Sequence, residues 1–386
     1  MTPGARVQAA IEVLDVVLDG VASGPRLTGP SAEAVLTRWA RDARYAGSRD
    51  RAAVRDHVFS ALRQLRSAAA RGGSMSGRSV IAGLLAGEGG DLASLFDGQG
   101  HAPLPLSEAE SGNGRRPSAE EDLDMPSWLL PEMRRSLGPR LPEVCEALRH
   151  RAPVHLRANL LKTDRDGLIA DLAEEGVEAV AHPLSPTALE VLGDARGLRN
   201  AAALRDGRAE FQDAASQAVA DFVPVEPGAR ILDMCAGGGG KALALAARGA
   251  AVSAWDADPS RMKDIPARAA RAGASIEILR EPGQGWDIIL CDAPCSGSGA
   301  WRRSPEGKWR LSPERLDELV KIQHEILKDA MTRVSDGGLV VYATCSILDA
   351  ENSHRIANPL RTLTLTPLDG GDGFHAALFE PSEGRS

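Results

Sequence analysis

The sequence has 386 residues, which predicts two or three domains of ordinary size. Apolar residues make up 43% of it and charged residues 25%, a balance typical of soluble globular proteins. The formal net charge of −8 argues against a protein that coats nucleic acid without specificity, although a local basic groove is compatible with it. No run of 18 apolar residues occurs, and residues 1–10 lack the pattern of a secretory signal, so we expect a cytoplasmic protein without a membrane span.

The five cysteines are odd in number and include no Cys-x-x-Cys pair. We therefore expect neither a disulfide framework nor a metal site. Cysteine is often buried as a small apolar residue, and we assign that role to Cys145, Cys235 and Cys291. In a reducing cytosol, free thiols that matter are usually catalytic, which leaves Cys295 and Cys345 as candidates.

The N-terminal part has apolar residues at helical spacing, in one stripe from Val7 to Leu18 and another from Ala52 to Leu65. Glycine, serine, proline and acidic residues then dominate residues 86–122, which we interpret in part as a solvated linker. The sequence therefore predicts an all-helical domain over residues 1–122, which acts either as a scaffold or in RNA binding.

Residues 123–218 have a mixed pattern that predicts a small α+β module. Its predicted elements are a helical segment at 126–149, a strand at 154–159, a helix at 164–175, and strands near 177–180 and 189–192.

From Ala229 onward, short apolar runs alternate with helical stretches. This alternation predicts a mostly parallel sheet with helices on both faces, in a Rossmann-like α/β domain over residues 219–386. The runs are residues 230–233, 251–255, 276–279, 287–290 and 339–342.

The first of these runs leads into a glycine cluster that opens a helix, where the backbone can approach a ligand closely. A phosphate-binding P-loop is excluded, because Ala242 follows Lys241 where Ser or Thr is needed. A dinucleotide loop, an S-adenosylmethionine site and a plain tight turn all remain open at this point. The candidate cofactor-binding residues are Cys235, Ala236, Gly237, Gly238, Gly239, Gly240 and Lys241.

Other residues with chemical potential follow other predicted strands. Asp256 closes the second strand about twenty residues after the glycines, where an acidic residue typically binds ribose hydroxyls. Asp292 and Cys295 follow the fourth strand, and Cys345 follows the fifth. Ligands bind beyond the carboxyl ends of the strands in an open α/β sheet, so we expect these residues to line one edge.

Two thiols beside a methyl donor suit methylation of C5 in cytosine. C5 is a poor nucleophile until a thiolate adds at C6, and a carboxyl group against N3 eases that addition. A second group must then help remove the C5 proton so that the thiol can leave. Cys345, Cys295 and Asp292 can supply these roles, although spacing alone does not assign them, and an amino-nitrogen methyltransferase would need no thiol.

Residues 301–310 interleave basic side chains with two tryptophans. This composition suits a nucleic-acid groove, by phosphate contact and base stacking, or a solvated basic loop. Arg302, Arg303 and Lys308 are therefore the candidate RNA-binding residues.

Over about residues 126–380 the motifs resemble those of the Sun/NOL1/NOP2 family of RNA cytosine-C5 methyltransferases. The family motifs C-A-A-P-G-G-K, D-A-P-C and T-C-S correspond to residues 235–241, 292–295 and 344–346. Further matches are Gln212-Asp213, Ser216-Gln217, Gln323, Ile326-Leu327, Glu351-Asn352 and Asp372-Gly373-Phe374.

The resemblance implies S-adenosylmethionine as the cofactor, held by the glycine motif with Asp256 and Asp292. It also implies Cys345 as the nucleophile and Cys295 in product release, with Asp292 and Lys241 at the same catalytic site. DNA cytosine methyltransferases instead use the cysteine after proline, so the order of the two cysteines matters.

The N-terminal helices resemble the NusB-type RNA-binding domain that precedes the catalytic part in bacterial small-subunit rRNA methyltransferases of this family. That implies RNA, and 16S rRNA in particular, as the partner of a monomeric protein that uses no metal. The chain departs from the family in Gly237 and Gly238, which replace Ala and Pro, and in Glu281, which lies near where an Asp usually binds adenine. The stretch between Glu351 and Asp372 is also short.

These departures motivate an alternative from another class, a non-catalytic RNA-binding or regulatory protein that has kept the fold. Retention of both cysteines argues against this alternative. A nicotinamide-dependent oxidoreductase is disfavoured, because hydride transfer has no use for Asp292, Cys295 and Cys345 together.

Overall fold

The computed structural model describes residues 1–19, 26–193, 198, 200–353, 356 and 358–381. Each predicted domain includes a few positions outside these ranges, among them 382–386 at the end of the third. The chain divides into two units, one of Met1–Arg151 with Trp301–Pro313 and the other of Ala152–Ala300 with Glu314–Ser386. The three predicted domain boundaries remain predictions. Among the described residues, no helix has the length and apolar character needed to cross a bilayer.

The first unit is helical, as its apolar stripes predict. Thr2, Ser31 and Ser76 each accept a backbone N–H at a helix start, which satisfies donors that the helix itself leaves unpaired. The helices are α1 Pro3–Val17, α2 Ala32–Asp42, α3 Ser48–Arg63, α4 Leu65–Gly72, α5 Gly77–Gly87, α6 Leu92–Leu95, α7 Glu108–Asn113, α8 Leu130–Leu137 and α9 Leu141–Arg149.

The segment 86–122 is held by contacts at a few points. Phe96 is 2% exposed and packs into the helical core, and Ser107 with Glu110 forms a reciprocal cap on α7. Arg115 binds Glu121 through two short hydrogen bonds. These contacts fix parts of a glycine-rich stretch whose residues are mostly exposed, and the linker interpretation stays a prediction.

The second unit begins with a four-stranded antiparallel sheet in the order β2-β3-β1-β4. The sequence predicted the first three strands and missed the short β4. The elements are β1 Val154–Ala158, α10 Arg165–Glu174, β2 Ala179–Ala181, β3 Ala188–Val191, α11 Ala202–Arg205, β4 Ala209–Phe211 and α12 Ala214–Phe222.

A seven-stranded sheet in the order β10-β11-β9-β8-β5-β6-β7 forms the rest of this unit. Strands β5 to β9 are parallel, and β11 and β10 add antiparallel strands beyond β9. The strands are β5 Arg230–Asp233, β6 Ala251–Ala254, β7 Ile276–Ile278, β8 Trp286–Asp292, β9 Val334–Thr344, β10 Arg361–Leu365 and β11 Phe374–Phe379. The helices that follow along the chain are α13 Gly240–Ala247, α14 Ile265–Ala272, α15 Glu306–Arg310, which belongs to the first unit, and α16 Pro313–Arg333. The Rossmann-like expectation is confirmed.

Candidate active site

The predicted site residues meet at one edge of the large sheet. The parallel strands β5, β6, β8 and β9 end beside one another, and their carboxyl ends lead into the glycine loop, Asp256, Asp292 with Cys295, and Cys345. Apolar runs on the strands fix this placement, because they bury the strands between helices and leave only their ends for polar side chains.

The two candidate thiols are neighbours. The Sγ atoms of Cys295 and Cys345 lie 3.4 Å apart, and both side chains are free and partly buried. The contact with Cys345, together with burial, raises the pKa of Cys295 well above its usual value. Cys295 is therefore held as a thiol that can donate toward the sulfur of Cys345.

A buried carboxylate joins the two cysteine loops. Glu351 is 0% exposed, and its Oε1 accepts from the backbone N of Ser296 at 2.8 Å and from Nε2 of Gln323 at 3.0 Å. Its Oε2 accepts from the hydroxyls of Ser296 and Ser346, each at 2.5 Å. The serine that follows each cysteine thus bonds to the Glu351 side chain, and this fixes the positions of the two loops relative to each other.

Other contacts hold the same two loops. Asn352 accepts from the hydroxyl of Thr344 at 2.5 Å and donates to the carbonyl of Ser346 at 2.8 Å. The backbone N of Gly299 donates to the carbonyl of Cys345 at 3.0 Å. A Cβ on Gly299 would lie 2.0 Å from the carbonyl oxygen of Gly373, so only glycine allows this approach. The sequence motifs identified Glu351-Asn352 without indicating that they support the thiols.

Lys241 forms an ion pair at the base of the site. Its Nζ donates to Oδ2 of Asp292 at 2.6 Å and lies 5.1 Å from the ring centre of Phe374. Burial opposes the charge on Lys241, but the neighbouring acidic groups, led by Asp292, together raise the pKa of the lysine. Lys241 therefore stays positively charged and orients the Asp292 carboxylate, whose side chain is 31% exposed.

The glycine loop turns sharply into α13. Gly237 and Gly239 have φ of 48° and 78°, and a Cβ on Gly239 would lie 2.9 Å from the side chain of Ile265. Asp256 braces this loop, since its Oδ2 accepts from the backbone N of Gly237 at 2.9 Å. Oδ2 also lies 3.1 Å from Nη1 of Arg261. Asp256 thus contacts the glycine loop, and its role at the ribose stays a prediction. Glu281 is exposed beyond β7.

Asp233, at the end of β5, was not singled out from the sequence. It is 1% exposed, and its Oδ1 has no hydrogen-bond partner. Burial, followed by the neighbouring charge of Asp292, raises the pKa of Asp233 to about 7. A buried carboxyl oxygen without a partner beside a glycine loop is suited to accept a hydrogen bond from a ligand.

The remaining cysteines have the structural character expected of them. Cys145 and Cys291 are buried, and Cys235 is partly buried. Burial raises the pKa of Cys145 to about 12 and moves the pKa values of Cys235 and Cys291 upward as well. These three thiols are therefore poor nucleophiles in this structure.

The basic segment after the Cys295 loop is mostly buried, contrary to expectation. Lys308 is 1% exposed, and its Nζ donates to the carbonyl of Arg63 at 2.8 Å. Trp309 is 1% exposed, and its Nε1 donates to the carbonyl of Leu62 at 2.7 Å. Arg302 is 5% exposed. The prediction of RNA contact is therefore wrong for Lys308 and Arg302, because the segment packs into the helical unit, and Arg303 alone of the three is exposed.

Two family models match this chain. Residues 222–373 match the model described as "16S rRNA methyltransferase RsmB/F", and residues 125–195 match the "Methyltr_RsmF/B-like, ferredoxin-like domain". Over these two regions the chain is similar to the RsmB/F methyltransferases. This confirms the resemblance that the cysteine motifs indicated. The family and the fold agree with S-adenosylmethionine as the cofactor, and the NusB-like character of the N-terminal helices remains a prediction.

Curated relatives have names that agree with these matches. The ribosomal RNA small subunit methyltransferase B of Klebsiella pneumoniae is 35% identical over 243 residues, which are 60% of this chain and 56% of that protein. The protein of the same name from Citrobacter koseri is 33% identical over 280 residues, or 65% of each chain. This chain therefore matches between about half and two thirds of the length of these relatives.

Solved structures share the fold. The crystal structure of PH0851 matches 98% of this chain and 99% of its own length, with a TM-score of 0.73 and 21% identity. The structure of NSun6 from Pyrococcus horikoshii with SFG matches 66% of this chain and 97% of its own length, with a TM-score of 0.58 and 17% identity.

Proposed function

We propose that this chain methylates C5 of a cytosine in RNA, with small-subunit ribosomal RNA as the substrate and S-adenosylmethionine as the methyl donor. The observation that carries this proposal is the 3.4 Å contact between the sulfurs of Cys295 and Cys345 at the carboxyl edge of the sheet. The names of the curated relatives support ribosomal RNA as the substrate.

The residues beside the glycine loop fit S-adenosylmethionine. Its methionine end carries an ammonium group, and the unpartnered Oδ1 of Asp233 is an acceptor placed to bind such a donor. Gly237 and Gly239 leave the loop without side chains where a ligand approaches, and Asp256 stands next to it for the ribose hydroxyls. When bound, S-adenosylmethionine supplies an electrophilic methyl group. A protein of the same fold has been solved with SFG, an analogue of it.

We assign the nucleophilic role to Cys345. Its thiolate adds to C6 of the cytosine, and the electron pair of the C5–C6 double bond becomes available at C5. Cys295 has a raised pKa and stays protonated, so it can stabilise the neighbouring thiolate by donating to it. After C5 has gained its methyl group, a base removes the C5 proton, the double bond re-forms and the sulfur of Cys345 leaves. We propose that Cys295 assists this release.

Asp292 ends β8 at the same edge of the sheet as the two thiols, three residues before Cys295. We propose that its carboxyl group shares a proton with N3 of cytosine, and that this hydrogen bond to N3 favours addition at C6. Lys241 keeps Asp292 oriented through the 2.6 Å ion pair. The lysine is buried, so water competes little for this contact. Lys241 is therefore a positioning residue in this proposal.

Trapping of a covalent complex tests the mechanism against the non-catalytic alternative. An RNA that carries 5-fluorocytosine has no removable proton at C5, so it should stay attached to the active enzyme on a denaturing gel. Cys345→Ala should abolish both methylation and this adduct. Cys295→Ala should still add and methylate on unmodified RNA, and the product should remain attached. The opposite pattern would reverse the two roles.

If both variants keep their methylation activity and still form the adduct, the thiols are structural. Absence of S-adenosylmethionine binding in the parent chain would favour the regulatory alternative. Bisulfite mapping of ribosomal RNA from cells with and without the gene would identify the modified cytosine.

A further inference from the structure

A buried histidine in the small sheet has one ring nitrogen paired and the other left alone. The side chain of His155 is 0% exposed, and its Nδ1 lies 3.0 Å from Oδ2 of Asp213. The backbone N of Ala214 also lies 3.2 Å from Nδ1 and donates to it when that nitrogen carries no proton. The tautomer that suits a metal carries the proton on Nδ1, where it bonds the Asp213 carboxylate. Nε2 is then a buried lone pair, and it has no hydrogen-bond partner.

The sheet places two further ligand-type side chains on the same face. His155 pairs with Glu190 across β1 and β3, and Glu190 pairs with Val180 across β3 and β2. Partners in a register share a face, and every second residue returns to it, so His182, two positions after Val180, faces the same way. The ligand atoms of His155, His182 and Glu190 all lie within 4.8 Å of one another.

We propose that His155, His182 and Glu190 bind a zinc-type divalent cation. Two imidazole nitrogens and one carboxylate oxygen form a ligand set that zinc prefers, and three protein ligands leave a fourth position for water. The pairing of His155 with Asp213 is the arrangement that orients metal-binding histidines, since the carboxylate fixes the proton on the distal nitrogen. The positive charge would also be balanced by the two nearby carboxylates, Glu190 and Asp213.

The geometry requires a small adjustment. Zinc bonds of about 2.0–2.2 Å place ligand atoms roughly 3.4 Å apart in a tetrahedron. The separations of up to 4.8 Å must therefore shorten by at most about 1.4 Å. Glu190 is only partly buried and can turn toward the histidines. Nδ1 of His182 accepts a long hydrogen bond of 3.3 Å from the backbone N of Leu184, and binding through Nε2 gives up this weak contact.

The site is separate from the proposed methyl transfer, and it joins two parts of the second unit. Asp213 also accepts from the backbone N of Asp372 at 2.9 Å and caps α12, so His155 is tied through one carboxylate to the stretch just before β11. A bound cation would therefore stabilise the packing of the small sheet against the large one.

Titration of the chelator-treated full chain with cobalt(II), followed by its visible absorption, tests the proposal. We expect one equivalent to bind and to be displaced by zinc. Cys295 and Cys345 are also zinc ligands in principle, so the titration is repeated in the double variant Cys295→Ser, Cys345→Ser, where the signal should persist. If this variant still binds the metal, the thiols are not its ligands. If the variant no longer binds the metal, the proposal is overturned.

Substitutions in the cluster complete the test. His155→Gln and Glu190→Gln should weaken binding at least tenfold, and Asp213→Asn should weaken it by about 10- to 100-fold, the usual effect of losing the partner of a histidine ligand. His150→Gln is the matched control, because His150 is an exposed histidine at 68%. Zinc should raise the thermal unfolding midpoint of the parent but not of Glu190→Gln, which changes a partly exposed side chain and is expected to fold. Binding that is absent in the parent, or unchanged in His155→Gln and Glu190→Gln, would refute the proposal.

Discussion

Removal of the Glu351 carboxylate should separate the two cysteine loops. In Glu351→Ala the hydroxyls of Ser296 and Ser346, 3.4 Å apart, can turn to bond one another. The backbone N of Ser296 and Nε2 of Gln323 cannot accept, so both lose a buried acceptor. At about 1–3 kcal/mol for each of these two orphaned donors, we expect a loss of about 2–6 kcal/mol in the free energy of unfolding.

The isosteric change Glu351→Gln should cost much less. An amide oxygen in the place of Oε1 still accepts from Ser296 and Gln323, and the amide nitrogen in the place of Oε2 can donate to the two serine hydroxyls. All four contacts survive without the strengthening that a charge gives, so we expect a loss of about 1–2 kcal/mol. Methylation should fall about 100-fold in Glu351→Ala, since a shift of about 1 Å between reacting groups has that effect.

Urea unfolding and methyl incorporation into RNA measure the two effects. Glu325→Ala is the control, because Glu325 lies on the exposed face of α16, the same helix that carries Gln323. If Glu351→Ala unfolds at the same urea concentration as this control, the four hydrogen bonds do not stabilise the fold. If it unfolds earlier but methylates at the parental rate, the carboxylate does not position the thiols.

Three further predictions follow from individual side chains. Asp256→Ala should weaken S-adenosylmethionine binding by about 1.5–3 kcal/mol, the scale of a hydrogen bond to a charged group, and unchanged affinity by calorimetry would remove Asp256 from the site. The pKa of Asp233 is raised from 3.8 to about 7, so its contribution to stability is complete below about pH 4 and is lost as the pH rises through 7. Asp233→Asn should abolish that loss, which a comparison of urea midpoints at about pH 5 and pH 8 would measure. Lys308→Ala should lower the thermal unfolding midpoint without altering the salt dependence of RNA binding, whereas Arg303→Ala should alter only the latter, and a changed salt slope in Lys308→Ala would contradict the burial of Lys308.

The sequence predicted the strands whose carboxyl ends form the site, because burial alone requires apolar residues along such strands and leaves polar residues at their ends. The predicted run 230–233 coincides with β5, and the other four lie on β6 to β9. Strands β10 and β11 were missed for physical reasons. Arg361–Leu365 is a largely exposed edge strand with alternating polar residues, and Phe374–Phe379 is buried throughout, although a short run containing His375 shows no distinctive period.

Contacts between loops that are distant along the chain are the part of the site that could not be predicted from the sequence. The motifs containing Cys295, Cys345 and Glu351 were recognised separately, but nothing in their spacing shows that one carboxylate bonds the serines after both cysteines. Asp233 could not be predicted from the sequence either, because what marks it as a candidate ligand-binding residue is its unpaired oxygen and not its residue type. Hydrogen-bond partners across about 50 residues depend on the packed fold, which local pattern does not encode.

The basic segment shows why residue type is a poor guide to nucleic-acid contact. Arginines and lysines near tryptophans satisfy the composition of a binding groove, yet the same residues can enter a core when backbone carbonyls are there to receive their protons. Burial lowers the pKa of Lys308 to about 8, because the protein interior disfavours its charged form. A phosphate contact needs a full and accessible charge, and the donor of Lys308 is already committed to the carbonyl of Arg63. Exposure, which only the fold decides, therefore directs any search for the RNA-binding surface to residues such as Arg303.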